Sequence, residues 1–413
     1  MIKYCFILGN NPLLSLAEIF HFAKKSGIKM TTVDYVGTAL IVECETQIEF
    51  KNWQINLGGS IKIGTIERQY STINDLIKSL SVDNLVQNYF AQHHQKIIFG
   101  FSCYGTLSSR NHRHINNQGM TIKQELKRNA YKSRVLLGEY GALTSVQITK
   151  NDVLKRGADI LIVESEKNVY LGKTHAVQAF EEYSHQDYGR PQRDARSGML
   201  PPKLAKIIIN LAKTKSKDVL LDPFCGSGTI IQQAQMLGIQ KIIGSDISKK
   251  AIEDTKQNIS WQKQHYPQST DNVTLFVLDA KNLHKEIQSD TIDCIVTEPY
   301  LGPPLKKEPT DKEAQKNVED LEALYTASFK SFSQVLKNDA IVVIVFPLFK
   351  IKHGTYVLKI LEAVQQLGFS RINPIPDQAS IFSHVNPTAR GSLIYKRPDQ
   401  KVHREIFIFQ YRR

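Results

Sequence analysis

Apolar runs and helical spacings alternate along the whole 413-residue chain, and their order changes twice. Over residues 1–70 the pattern reads strand, helix, two strands, helix, strand. An apolar run at 4–8 precedes helical spacing over 14–23, paired strands turn around Gly37 within 33–43, and a strand follows at 61–66. That order predicts a small α+β unit of ferredoxin-like type. Residues 71–178 carry a strand at 96–103, a helix at 121–137, and a hairpin whose strands 159–163 and 169–171 flank the polar turn 164–168. Residues 179–197 form a polar, Arg-rich linker. Residues 198–413 then alternate strand and helix, with strands at 219–222, 241–246, 273–279, 294–297 and 341–346, and a helix at 356–367. Apolar strands separated by helices predict an α/β domain of the doubly wound, Rossmann type, its parallel sheet covered on both faces. A closing antiparallel hairpin is expected from 392–395 and 405–411.

Charge narrows the possible partners. A formal net charge of +13 and a pI near 9.3 call for a polyanion. The longest apolar stretch, 340–346, falls far short of the roughly 20 residues that cross a bilayer, so no membrane role is expected. No charged-then-apolar leader opens the sequence, and five scattered cysteines without a C-x-x-C pair suit reduced thiols. The expectation is a cytoplasmic protein that binds nucleic acid and holds no metal.

The chemistry concentrates at strand ends. Val219-Leu-Leu-Asp222-Pro-Phe224-Cys-Gly226-Ser-Gly228 runs an apolar strand into a turn whose glycines let backbone approach a ligand. In doubly wound sheets ligands sit at this crevice. A dinucleotide fingerprint requires glycine where Ile231 stands, and no phosphate-cradling G-x-x-x-x-G-K-S/T is present. Asp222 would repel a phosphate but suits the cationic sulfonium and amino group of S-adenosyl-L-methionine. Asp246 ends the next strand, where a carboxylate accepts ribose hydroxyls, and Asp279 ends the third, within reach of an adenine amino group. Helix capping explains any one such acid. Three of them in register with one Gly-x-Gly loop point to a cofactor.

The fourth strand ends in Thr297-Glu298-Pro299-Tyr300. An exocyclic amino nitrogen on a base is a poor nucleophile, because its lone pair is delocalised into the ring. Glu298 and the Pro299 carbonyl can accept its two N–H bonds as positive charge develops, while Tyr300 stacks on the extruded base. A Pro-rich loop after a strand is the plainer alternative. Between Lys96 and Glu139 stand eight Lys/Arg against two acids. On the helix expected over 121–137, Ile122, Leu126, Ala130 and Leu137 share one face, and Lys123, Lys127, Arg128 and Lys132 lie outside it. With Arg190 and Arg193 of the linker, these are the expected RNA-binding residues. His112 and His114 read as loop residues.

Four stretches carry a resemblance. They are Tyr183-Ser-His-Gln-Asp-Tyr-Gly-Arg-Pro-Gln-Arg-Asp194, Gly198-Met-Leu-Pro-Pro-Lys-Leu-Ala205, Asp222-Pro-Phe-Cys-Gly-Ser-Gly-Thr229 and Gly244-Ser-Asp-Ile-Ser248. Together with Leu57-Gly-Gly-Ser-Ile-Lys62 and Tyr170-Leu-Gly-Lys-Thr174, they resemble the archaeal and eukaryotic tRNA guanosine-10 N2-methyltransferases over nearly the whole chain. The resemblance implies an N-terminal ferredoxin-like domain (1–70), a THUMP tRNA-binding domain (71–178), a linker (179–197) and a Rossmann-fold methyltransferase domain (198–413). It also implies S-adenosylmethionine-dependent N2-methylation of a guanine in tRNA, with a small activator subunit left open. The family pattern Asp-Pro-Pro-Tyr is replaced here by Glu298-Pro299-Tyr300-Leu301, so the acid reaches one methylene further. Methylation of rRNA or DNA amino groups, and a non-catalytic RNA-binding role, stay open as alternatives.

Overall fold

The computed structural model describes residues 1–90, 96–193, 199–304, 309–351, 354–377, 385–397, 400 and 402–413. Residues 194–197 of the Arg-rich linker, residue 198 beyond it and 398–399 of the expected hairpin turn lie outside them. The chain divides into two units. One comprises Met1–Pro12, Ile28–Asn56 and Ser60–Glu181; the other comprises Leu13–Gly27, Leu57–Gly59 and Glu182–Arg413.

The first unit is built on eight strands, β1 (Ile2–Leu8), β2 (Met30–Val36), β3 (Ala39–Cys44), β4 (Ser60–Tyr70), β5 (Ile97–Gly105), β6 (Ser133–Leu136), β7 (Gly157–Glu164) and β8 (Val169–Val177). They form one sheet in the order β2-β3-β1-β4-β8-β7-β5-β6, unbroken across residues 70 and 71. Strand β4 makes the join, pairing antiparallel with β1 on one side and β8 on the other. Beneath that join Lys62, 1% exposed, donates to Asp159 at 2.7 Å and to Ser102 at 2.8 Å. A buried ammonium is tolerable only with such partners.

The basic helix differs from its expected span. It runs Ser109–Arg128, so His112 and His114 are helical, and its buried stripe is Ile115, Gly119, Ile122 and Leu126. The Tyr131 N–H bonds to the Leu126 carbonyl at 2.8 Å and the Ala130 N–H to that of Lys127 at 3.1 Å. These two bonds close a Schellman motif that puts Ala130 at a φ of 64° and stops the helix. Residues 133–136 are released to form β6, and Ala130 and Leu137 are exposed.

The second unit holds β9 (Val219–Asp222), β10 (Lys241–Asp246), β11 (Val273–Val277), β12 (Ile292–Thr297), β13 (Leu336–Ile351), β14 (Gly354–Val357), β15 (Phe369–Arg371), β16 (Leu393–Tyr395) and β17 (Val402–Tyr411). The sheet order is β11-β10-β9-β12-β13-β17-β15, with β14 on β13 and β16 on β17. Strands β9 to β13 are mutually parallel, whereas β17 runs antiparallel to β13, β15 and β16. This is the doubly wound methyltransferase topology expected from the sequence. The expected helix at 356–367 is corrected: Tyr356 pairs with Phe349 across a hairpin, and only Leu361–Gln366 is helical. Behind the sheet Phe329 meets Phe369 and Phe409 edge-on, with centroids 4.9 and 5.6 Å away. Each ring buried there is worth about 1.5–3 kcal/mol.

Helix Pro12–Lys25 contributes most of its length to this second unit. Its Glu18 is fully buried and accepts the Gly58 and Gly59 amides, each at 2.8 Å, and Asn210 Nδ2 at 2.7 Å. Burial still pushes this carboxyl up to about 7.

Candidate active site

In the sheet order β10 follows β9 on one side and β12 flanks it on the other, so the parallel strands fan apart from β9. Two side chains face each other at that switch point. Thr297, at the end of β12, donates its hydroxyl to Asp222 Oδ1 at 2.7 Å, and the Phe224 N–H reaches the same oxygen at 3.2 Å. Asp222 is 1% exposed, and burial pushes its carboxyl up to about 7, with Asp246 and Glu298 adding to the effect. Among the described residues no cation pairs with it. A buried acid so placed favours a positively charged ligand.

The loop that follows is tied to the neighbouring strand. Asp246 Oδ2 accepts the Gly226 N–H at 3.0 Å, and its Oδ1 accepts the Ser248 N–H at 2.8 Å. One lone pair on each oxygen remains for a ligand hydroxyl. Gly228 has a φ of 86°, and a Cβ there would stand 2.8 Å from Thr255 Cγ2, so glycine is required twice over. Asp279 Oδ1 accepts the Lys281 N–H at 2.9 Å, capping the turn Ala280–Lys285. It is thus a cap as well as a cavity residue.

A cavity of about 730 Å³ is lined by Asp222, Phe224, Gly226, Asp246 and Asp279 together with Glu298, Pro299 and Tyr300. Its size suits a cofactor-sized ligand. The acid, loop and strand-end geometry fit S-adenosylmethionine: an unpaired buried carboxylate for its cationic end, and Asp246 for its ribose. Ile247, 72% exposed, also lines the cavity and presents an apolar face to a ring. Sequence reasoning missed it, although an apolar residue directly after a strand-end acid was visible.

Glu298 does not stand alone. The Arg404 guanidinium, on β17, donates from Nε to Glu298 Oε2 at 2.5 Å and from Nη2 to Oε1 at 3.1 Å. Burial by itself would lower the Arg404 pKa, but the Glu298 carboxylate outweighs it and the net shift is upward. The backbone beyond is pinned as well, because the Tyr325 hydroxyl donates to the Tyr300 carbonyl at 2.9 Å. The Tyr300 ring is 54% exposed and lines the cavity.

Comparison with known proteins gives a family. The profile described as "RMKL-like, methyltransferase domain" matches residues 190–351, and one described as "DNA methylase" matches 61–257. A Methanothermobacter thermautotrophicus protein named "tRNA (guanine(10)-N2)-dimethyltransferase" is 36% identical over 108 residues, which are 25% of this chain and 28% of that protein. A Methanothermococcus thermolithotrophicus protein named "Probable tRNA (guanine(10)-N2)-dimethyltransferase" is 30% identical over 149 residues, 34% of this chain and 77% of that protein. The chain belongs to the tRNA (guanine(10)-N2)-dimethyltransferase family. Its match spans under a third of the Methanothermobacter relative's length. Among solved structures, TrmN from Thermus thermophilus shares the fold, with a TM-score of 0.54 and 13% identity over 99% of each chain.

Against this family membership the expected RNA-facing residues divide. Lys127, Arg128 and Lys132 are exposed and Lys123 half-buried. Lys123, Lys127 and Lys132 line a second hollow of about 550 Å³ with Lys96, Met120 and Tyr131. Arg193 is exposed, lies 4.8 Å over the Tyr188 ring and lines the cofactor-sized cavity. Arg190 is corrected. It is 3% exposed, and its Nη1 donates to Thr229 Oγ1 at 2.7 Å and Gln232 Oε1 at 3.3 Å. It fastens the first turn of the helix behind the glycine loop and cannot reach a phosphate from there. Among the described residues no helix is long and apolar enough to cross a membrane, and no cluster of His, Cys, Asp or Glu is placed to hold a metal.

Proposed function

We propose that this protein transfers a methyl group from S-adenosylmethionine to the N2 amino group of a guanine in tRNA, at guanosine 10. The observation that carries this reading is the shared cavity, which is lined by the three strand-end acids and by Glu298-Pro299-Tyr300. When bound, the cofactor supplies an electrophilic methyl on its sulfonium. Asp222 meets the cationic end, Asp246 accepts the ribose hydroxyls, Asp279 faces the adenine and the glycines admit the chain. Glu298 and the Pro299 carbonyl accept the two N–H bonds of the guanine amino group, which turns the nitrogen lone pair toward the methyl. The half-exposed Tyr300 ring stacks on the extruded base.

The tRNA is held by charge. In this reading residues 71–178 act as a THUMP domain, with Lys123, Lys127, Arg128 and Lys132 on its phosphate-binding face and Arg193 near the cavity mouth. The test is methyl transfer from labelled cofactor onto purified unmodified tRNA, with and without an activator candidate, followed by identification of the product nucleoside. N2-methylguanosine supports the proposal. Methylated adenine or cytosine in a DNA control, with none in tRNA, would replace it with the DNA reading to which the match over 61–257 corresponds.

A further inference from the structure

We propose that Arg404 is a positioning residue for the transfer step, holding the Glu298 carboxylate in one orientation so that its remaining lone pairs face the bound base. The inference rests on the proposed amino-methyl transfer and adds a residue that no motif marks.

The geometry is side-on. Nε and Nη2 of Arg404 occupy one lone pair on each Glu298 oxygen, at 2.5 and 3.1 Å, and leave one on each for a substrate N–H. The guanidinium is itself fixed, because Arg404 is 3% exposed and its backbone is flanked by Pro347 of β13 and Tyr395 of β16. A glutamate side chain has three rotatable bonds, and a planar fork anchored on a strand removes that freedom before the base arrives.

The second role is electrostatic. Among the described residues, Arg404 on β17, Asp222 on β9 and Tyr325 on helix Asp311–Val335 interact electrostatically with this carboxylate. Of these only Arg404 is cationic, and its charge offsets the like charge of Asp222. Paired with it, the carboxylate keeps its hydrogen-bond acceptors and orients the amino group. The longer Glu in place of the family's Asp is explained by the same pair: the extra methylene carries the carboxylate to Arg404.

The experiment compares wild type, Arg404→Gln and Arg404→Lys in kcat and KM for tRNA, with cofactor affinity and thermal midpoint recorded for each. Arg404→Gln is expected to lower kcat about 10²-fold. Its KM, cofactor affinity and thermal midpoint should stay near wild type. Arg404→Lys keeps the charge and loses the fork, so the rate recovers only in part. Wild-type kcat in Arg404→Gln, or a loss of kcat matched by lost stability, overturns the proposal and leaves a purely structural ion pair. A wild type that yields no N2-methylguanosine overturns the underlying transfer reading and this inference with it, a result distinct from any behaviour of the variants.

Discussion

Arg404 meets Glu298 across 106 residues of sequence, Nε to Oε2 at 2.5 Å, and Glu298 lines the cavity that Asp222 also lines. The pairing makes the length of the acid matter. Glu298→Asp restores the acid of the family pattern yet withdraws it from Arg404. Transfer should therefore fall, together with that of Glu298→Gln, by about 10²–10³-fold, with tRNA and cofactor still bound. Single-turnover methyl transfer checks this, and a wild-type rate in Glu298→Asp would show that reach is immaterial.

Asp246 serves the loop and the ligand together. Asp246→Ala removes a charged acceptor worth ~1.5–3 kcal/mol per hydroxyl bond and also frees the Gly226 and Ser248 amides. Calorimetry should record a large loss of S-adenosylmethionine affinity, with tRNA affinity retained. Unchanged cofactor affinity in a folded variant removes Asp246 from the site.

The Asp222 carboxyl, raised to about 7, gives cofactor binding a pH dependence. A cationic ligand favours the ionised form, so affinity should climb as pH rises toward 7 and level off above it, with protons released on binding at pH 6. For the empty protein the sign is opposite. An acid whose folded pKa lies above its unfolded value contributes most at low pH, and that contribution is lost as pH rises toward 7. Glu18, also near 7, acts in the same direction. Titration calorimetry in buffers of different ionisation heat measures the proton release, and Asp222→Asn should abolish it.

Local signals were enough to outline the catalytic sheet and the glycine loop. The strands at 219–222 and 241–246 end where the alternation of apolar and polar residues says they should, because each buried strand stops at an acid. What escaped was decided at a distance or by backbone alone. Ala130 ends its helix through two main-chain hydrogen bonds, with alanine rather than glycine at the left-handed position after the C-cap Asn129. Tyr356 has helical spacing with its followers, but pairing with Phe349 draws it into a strand. Arg190 looks like a surface charge in a polar linker, and only Thr229 and Gln232, 39 and 42 residues on, turn it inward. Arg404 belongs to the same class.

The basic helix predicts a salt effect. Replacing Lys123, Lys127 and Lys132 together should weaken tRNA binding and flatten the dependence of log affinity on log salt. The slope should fall by up to about 0.7–0.9 for each phosphate that is no longer neutralised. Cofactor affinity should not change. Filter binding over a salt series reads this directly, and an unaltered slope would mean that tRNA binds elsewhere.

The separation of Glu298 from Arg404 also has a temporal side. At 5–20 residues per second of synthesis, roughly 5–20 s pass between the emergence of one and the other from the ribosome. During that interval β9, β10 and β12 are already available, so the glycine loop and its acids can assemble. The carboxylate at the end of β12 still lacks its counter-ion, because β17 must insert between β13 and β15 before Arg404 arrives. A nascent chain therefore has the strands of its glycine loop and acids before it has the residue that pairs with Glu298.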